Sequence, residues 1–86
     1  MNSIKISKDC FLPVEHIKFY LAYESYPSKT MVRNMRKEGK VFDFTFGKKI
    51  STVIYLVSGE LVLSPVSVET IHNRIELLSK NSISDM

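Results

Sequence analysis

"VFDFTFGKKISTVIYLVSGELVLS" (Val41–Ser64) decides how this chain folds. In Val41–Phe46 apolar and polar residues alternate, with Phe42, Phe44 and Phe46 on one side. That period of two predicts a strand with one covered face. "STVIYLV" (51–57) is a mostly apolar run of β-branched and aromatic residues, which suits a strand buried on both faces. "SG" (58–59) marks a turn and "ELVLS" (60–64) returns. The stretch reads as antiparallel strands joined by tight connections. Three such strands with a helix on one face are enough for independent stability. Between the first two, "GKK" puts Lys48 and Lys49 directly behind Gly47. Glycine allows a positive φ or a close approach of another chain. Two ammonium groups held close by strands on both sides form either a solvated turn or an anion-binding corner.

Working outward, "HIKFYLAYE" (16–24) alternates as a further strand, with Ile17, Phe19, Leu21 and Tyr23 on one face. Residues 2–7 alternate weakly and suit a short edge strand. From Ser25 the period changes. Ser25 is placed to cap a helix, Pro27 suits its first turn, and Gly39 suits its left-handed stop. Met31, Val32 and Met35 form its apolar stripe, and Lys29, Arg33, Arg36, Lys37 and Lys40 form a basic outer face. After Pro65, Ser67 is placed to cap a second helix whose stripe is Val68, Ile71, Ile75 and Leu78. The expected class is α+β: a small antiparallel sheet with two helices, one domain over residues 1–79, and a disordered tail over 80–86.

Length and composition narrow the function. Eighty-six residues allow one domain, and a chain this short buries only roughly 60–65 % of its unfolded surface. The core must therefore be efficient, or the chain must pair with copies of itself. A single cysteine, Cys10, excludes an intrachain disulfide and a multi-cysteine metal site. The first residues lack the apolar core of a signal peptide, and no apolar run reaches the roughly 20 residues of a membrane span. A cytoplasmic location is expected. Net charge is +3, yet residues 1–49 hold ten Lys or Arg against five Asp or Glu, while residues 50–86 hold two against four. Such a basic half raises the odds of a polyanionic partner, most often nucleic acid.

Catalysis finds little support. His16 and His72 are the only histidines, and neither falls in a metal-ligand or nucleophile spacing. Cys10 has no evident activating partner. Asp43 alternates with phenylalanines and is expected to fix the adjacent turn by a hydrogen bond or an ion pair. No enzyme activity, metal, cofactor or small-molecule substrate is expected. Tyr20, Tyr23 and Tyr26 keep RNA stacking open as an alternative.

Read in order, residues 27–75 resemble the RemA family of bacterial biofilm-matrix regulators. The features that carry the likeness are Pro27 opening the helix, Arg36 with Gly39 at its end, and "DFTFGKK". They continue with "TVIYLV", "ELVLS", "VETI" and the pair Arg74–Ile75. The resemblance implies a LytTR-like α+β fold, a homo-oligomer closed into a ring, and double-stranded DNA bound along basic residues displayed around that ring. It further implies a transcriptional regulator of extracellular-matrix and biofilm genes. Lys48 and Lys49 stand where the family has two DNA-contacting arginines, and His16 aligns with a further family arginine. "NMR" (Asn34–Arg36) replaces an acidic-Ala-Arg segment. Lysine keeps the charge but lacks the planar fork of arginine, and His16 is mostly neutral at pH 7, so weaker or differently specific binding is expected. Lys29, Arg33 and Lys37 are the helix residues expected to join the phosphate contacts. The alternative from another class is a structural or adaptor ring that binds an acidic protein or RNA.

Overall fold

The computed structural model describes residues 2–84, with side chains through residue 80. Its elements in chain order are β1 (Ser3–Ser7), β2 (Cys10–Pro13), a 3-10 turn (Val14–His16) and β3 (Ile17–Ala22). There follow α1 (Tyr26–Lys37), β4 (Val41–Asp43), β5 (Thr52–Leu56), β6 (Leu61–Ser64) and α2 (Val68–Ser84). β1 and β2 pair as a separate antiparallel hairpin, and the other strands form one sheet in the order β3-β5-β6-β4.

The sheet is mixed, which corrects the expected antiparallel set. β5 pairs antiparallel with β3 and β6, but β4 lies parallel to β6, with Val41 opposite Leu61 and Asp43 opposite Leu63. Residues 44–51 are therefore not a hairpin tip. They leave edge strand β4 and arch past the end of β6 to enter β5 on its far side. Because β6 lies between β4 and β5, a two-residue turn cannot join them, and the connection must be long enough to pass that strand.

Apolar side chains leave the sheet on both faces, as the continuous run in β5 predicts. On one face Val53, Leu61 and Leu63 pack with Val32, Met31 and Met35 of α1. On the other, Ile54 and Val62 pack with Ile71, Ile75 and Leu78 of α2 and with Ile4 and Ile6 of the hairpin. The two methionines are partly buried against this cluster, and three of the four stripe positions of α2 meet the sheet. Cys10 packs at the margin of the second cluster, and burial pushes its thiol pKa up, as for a small hydrophobe rather than a nucleophile.

β3 departs from strict alternation. Its register against β5 shifts between Ile17 and Phe19. Ile17 and Tyr20 consequently face α2, while Leu21 and Tyr23 face α1. Phe19 is 42 % exposed and stacks on Tyr55, with ring centroids 5.0 Å apart. A bulge changes the face a strand presents, so one-sided burial of Ile17 with Phe19 does not occur.

The helix ends follow their local chemistry. The Ser25 hydroxyl accepts the Ser28 N–H, and Pro27 sits in the first turn. At the other end Gly39 has φ +70°; its N–H donates to Arg36 O, and the Lys40 N–H donates to Met35 O. This crossed pair closes a helix through a left-handed residue. Ser67 caps α2 by accepting the Thr70 N–H at 3.2 Å. α2 runs on through Ser84, past the start of the expected tail at residue 80; residues 85–86 lie outside the described residues. No described helix is long and apolar enough to cross a membrane.

Candidate nucleic-acid interface

The corner is built from its carboxylate upward. Asp43 ends β4, and its Oδ1 accepts both the Thr45 N–H at 2.9 Å and the Thr45 hydroxyl at 2.6 Å. Arg36 Nη2 lies 3.9 Å from the other oxygen. This is the turn-fixing role expected for Asp43. Thr45 is buried, and its carbonyl accepts the Lys48 N–H at 3.0 Å. Between them Phe46 and Gly47 have φ +52° and +83°. Positive φ at both central residues marks the primed turn that favours glycine at both places. Gly47 fits that need, whereas Phe46 is held there against its preference.

Both ends of the arch are fastened to β6: the Phe44 N–H donates to Leu63 O and the Ser51 N–H to Ser64 O. The buried Ser7 hydroxyl donates to Phe44 O, and the Ser64 hydroxyl donates to Ile6 O, which ties the β1–β2 hairpin to the same place. The lysines therefore project from a fixed base. Asp43 also makes the corner pH-sensitive. Its hydrogen bonds from Thr45, helped by Arg36, hold its carboxyl below the usual value. A depressed folded-state pKa gives stability that is present above the unfolded value, about pH 4, and is lost as pH falls through the folded value. Asp43→Asn is expected to remove that part of the acid sensitivity while keeping an acceptor for Thr45. Urea midpoints compared at pH 6 and pH 3 check it: the gap between wild type and variant should narrow at the lower pH.

The expected site residues fall into two groups. Lys48 and Lys49 are exposed on the arch, and Lys49 Nζ lies 3.5 Å from Glu24 Oε1 with both side chains mostly in solvent. A pair this exposed contributes about 0–1 kcal/mol and leaves the lysine able to exchange partners. Lys29, Arg33 and Lys37 are exposed on α1, four residues apart in turn, so they form one stripe. Lys29 Nζ sits 5.8 Å from the centroid of Tyr23, the residue that precedes Glu24 in the chain. His16 stands apart. It ends the 3-10 turn before β3, while the corner adjoins the other end of that strand, about 20 Å of extended chain away. Within the chain His16 and the lysine pair are not brought together.

The fold also brings together residues that the sequence does not connect. A cavity of about 320 Å³ is lined by Lys5, Lys8, Lys48 and Arg74, with Phe46 and Val66 among its apolar walls. Its cations come from three distant segments, and no local pattern joins them. Phe46 itself leaves the company expected for it: Phe42 and Phe44 stack with centroids 6.5 Å apart, but Phe46 is 67 % exposed. β4 ends at Asp43, and the turn carries the last phenylalanine outward. Tyr20 and Tyr23 pack against the two core clusters, which leaves Tyr26 as the exposed ring among the three tyrosines suited to stacking. His72 is a surface residue whose Nδ1 lies 2.8 Å from the Tyr20 hydroxyl. Among the described residues no cluster of three or more His, Cys, Asp or Glu could hold a metal.

Comparison with known proteins agrees with the motif order. Residues 3–75 match the profile of the RemA-like family, described as extracellular matrix regulatory protein A-like. Proteins of Bacillus cytotoxicus, Bacillus mycoides and Bacillus cereus, each provisionally named a regulatory protein, are 37 % identical to this chain over 85 residues. Those alignments cover 99 % of this chain and 95 % of each relative.

Proposed function

We propose a function from one premise: this chain belongs to the RemA-like family, whose profile spans residues 3–75. It acts as a transcriptional regulator that grips double-stranded DNA through the phosphate backbone, as a ring of identical subunits, and controls extracellular-matrix genes. The observation that carries this reading is the lysine pair on an arch fastened at both ends to β6. A cation on a rigid base loses little freedom on meeting a phosphate, so less of the contact energy is lost to ordering. The α1 stripe of Lys29, Arg33 and Lys37 extends the same basic surface.

Each subunit offers a weak site, and copies in one assembly make the second and later contacts effectively intramolecular. Phosphate contacts position a duplex but carry little base information. Specificity then comes from the spacing and bendability of the DNA. Because His16 lies far from the lysines of its own subunit, it contributes only where DNA passes more than one part of the assembly surface.

Two measurements test the reading. Retention on random-sequence duplex should fall steeply as salt rises, because bound lysines release counterions from the DNA. No retention at low salt would favour the adaptor alternative. Light scattering at micromolar concentration should give a native mass several times that of the chain; a monomer would remove the avidity on which the mechanism relies.

A further inference from the structure

The cavity beside the arch holds a combination that the DNA reading does not use. Lys5 and Lys8 reach it from the hairpin, Lys48 from the arch and Arg74 from α2, and none of its lining residues is a carboxylate. Asp9, next in the chain, lines the neighbouring hollow with Lys8, Cys10, Phe44 and Phe46. Arg74 donates one hydrogen bond, from Nη1 to Lys5 O at 2.5 Å, and a guanidinium has four more N–H groups to offer. Four like charges around one concavity repel each other, and an anion with more than one negative charge offsets that repulsion.

The second observation is independent of charge. Phe46 occupies a left-handed conformation at φ +52° and exposes 67 % of its surface, so neither backbone preference nor burial accounts for an aromatic there. Strain held at an exposed side chain is a pointer to function. The ring lines the cavity with Pro65 and Val66, giving a flat apolar wall next to the cations.

We infer that this cavity is a mononucleotide site: the phosphate meets Lys5, Lys8, Lys48 and Arg74, and the base stacks on Phe46. Its volume of about 320 Å³ stands at the small end of ligand cavities, room for one nucleotide rather than two. The role inferred for the nucleotide is that of a bound ligand. Lys48 is common to this cavity and to the proposed DNA-contacting pair, so an occupied cavity withdraws one cation from the duplex. That consequence rests on the DNA reading; the binding itself does not.

The test titrates the isotope-labelled full chain with AMP, ribose 5-phosphate and inorganic phosphate, without DNA, following backbone amides by NMR. AMP is expected to shift amides at residues 5–8, 45–48 and 74, and to bind about tenfold more tightly than ribose 5-phosphate through its stacked base. Phe46→Gly relieves the left-handed strain, so it keeps the fold, and it should reduce AMP to the affinity of ribose 5-phosphate. Lys5→Gln with Lys8→Gln should weaken all three phosphates. Absence of shifts at these amides up to about 10 mM AMP, above even the weakest ordinary affinities, overturns the site. So does an AMP preference that is missing in the wild type or survives Phe46→Gly. As no DNA is present, any of these failures leaves the DNA reading untouched.

Discussion

Replacing Lys48 and Lys49 together by alanine should remove most duplex binding, by about 100-fold or more near 0.15 M salt, while the fold and the assembly persist. The size follows from counterion release. Each lost phosphate contact lowers the salt slope by about 0.9, and in an assembly the loss recurs in every subunit that touches DNA. The fold should tolerate the change because both side chains are exposed, and the Lys49–Glu24 pair contributes little. Gel-shift titrations at several salt concentrations, with circular dichroism and light scattering as controls, read out all three quantities. Unchanged affinity would end the role assigned to the arch. The reverse substitution is also informative: Lys48→Arg with Lys49→Arg restores the planar fork that meets phosphate in two places, and should tighten binding.

Ile71→Ala is the substitution with the largest expected effect on stability. Ile71 is fully buried where α2 meets Ile54, Val62, Ile4 and Ile6, so it holds both the helix and the hairpin against one face of the sheet. Truncating such a side chain typically costs about 2–5 kcal/mol, lost transfer energy plus the cavity left behind. A domain of this length has only about 4–13 kcal/mol in total. The melting temperature should fall by roughly 10 °C or more, and in an oligomer the shift will depend on protein concentration. Leu77→Ala, on the same helix but 59 % exposed, serves as the control and should change it little. If the two variants melted alike, α2 would not be anchored through Ile71.

These expectations draw on features that differ in how readable they are in one dimension. Both helices are announced by neighbours in the chain: Ser25, Pro27 and Gly39 for α1, Ser67 and the stripe Ile71, Ile75, Leu78 for α2. Caps and stripes depend on residues within a turn or two of each other. The burial of β5 on both faces is likewise written in its continuous apolar run. The family likeness belongs here too, since ordered motifs need no coordinates.

Strand partnership is another matter. A period of two says that Val41–Asp43 is extended but not which strand it joins or in which direction, because the energy of pairing lies in contacts with distant residues. The parallel pairing of β4 with β6 turned an expected hairpin into an arch, and that change set the surroundings of Gly47, Lys48 and Lys49. The bulge in β3 and the outward position of Phe46 arise in the same way, from backbone geometry that alternation does not encode.

The chain's local chemistry thus specified two capped amphipathic helices, a doubly buried strand, a basic N-terminal half and a glycine followed by paired lysines. Folding supplied the company those lysines keep: a carboxylate at Glu24, and a cavity where Lys5, Lys8 and Arg74 meet Lys48 around an exposed ring. The division has a physical origin. Capping and periodicity act over a few residues of chain, whereas electrostatic fields and cavities are set by distance through space, and residues 5 and 74 become neighbours only when the hairpin and α2 close on one face of the sheet.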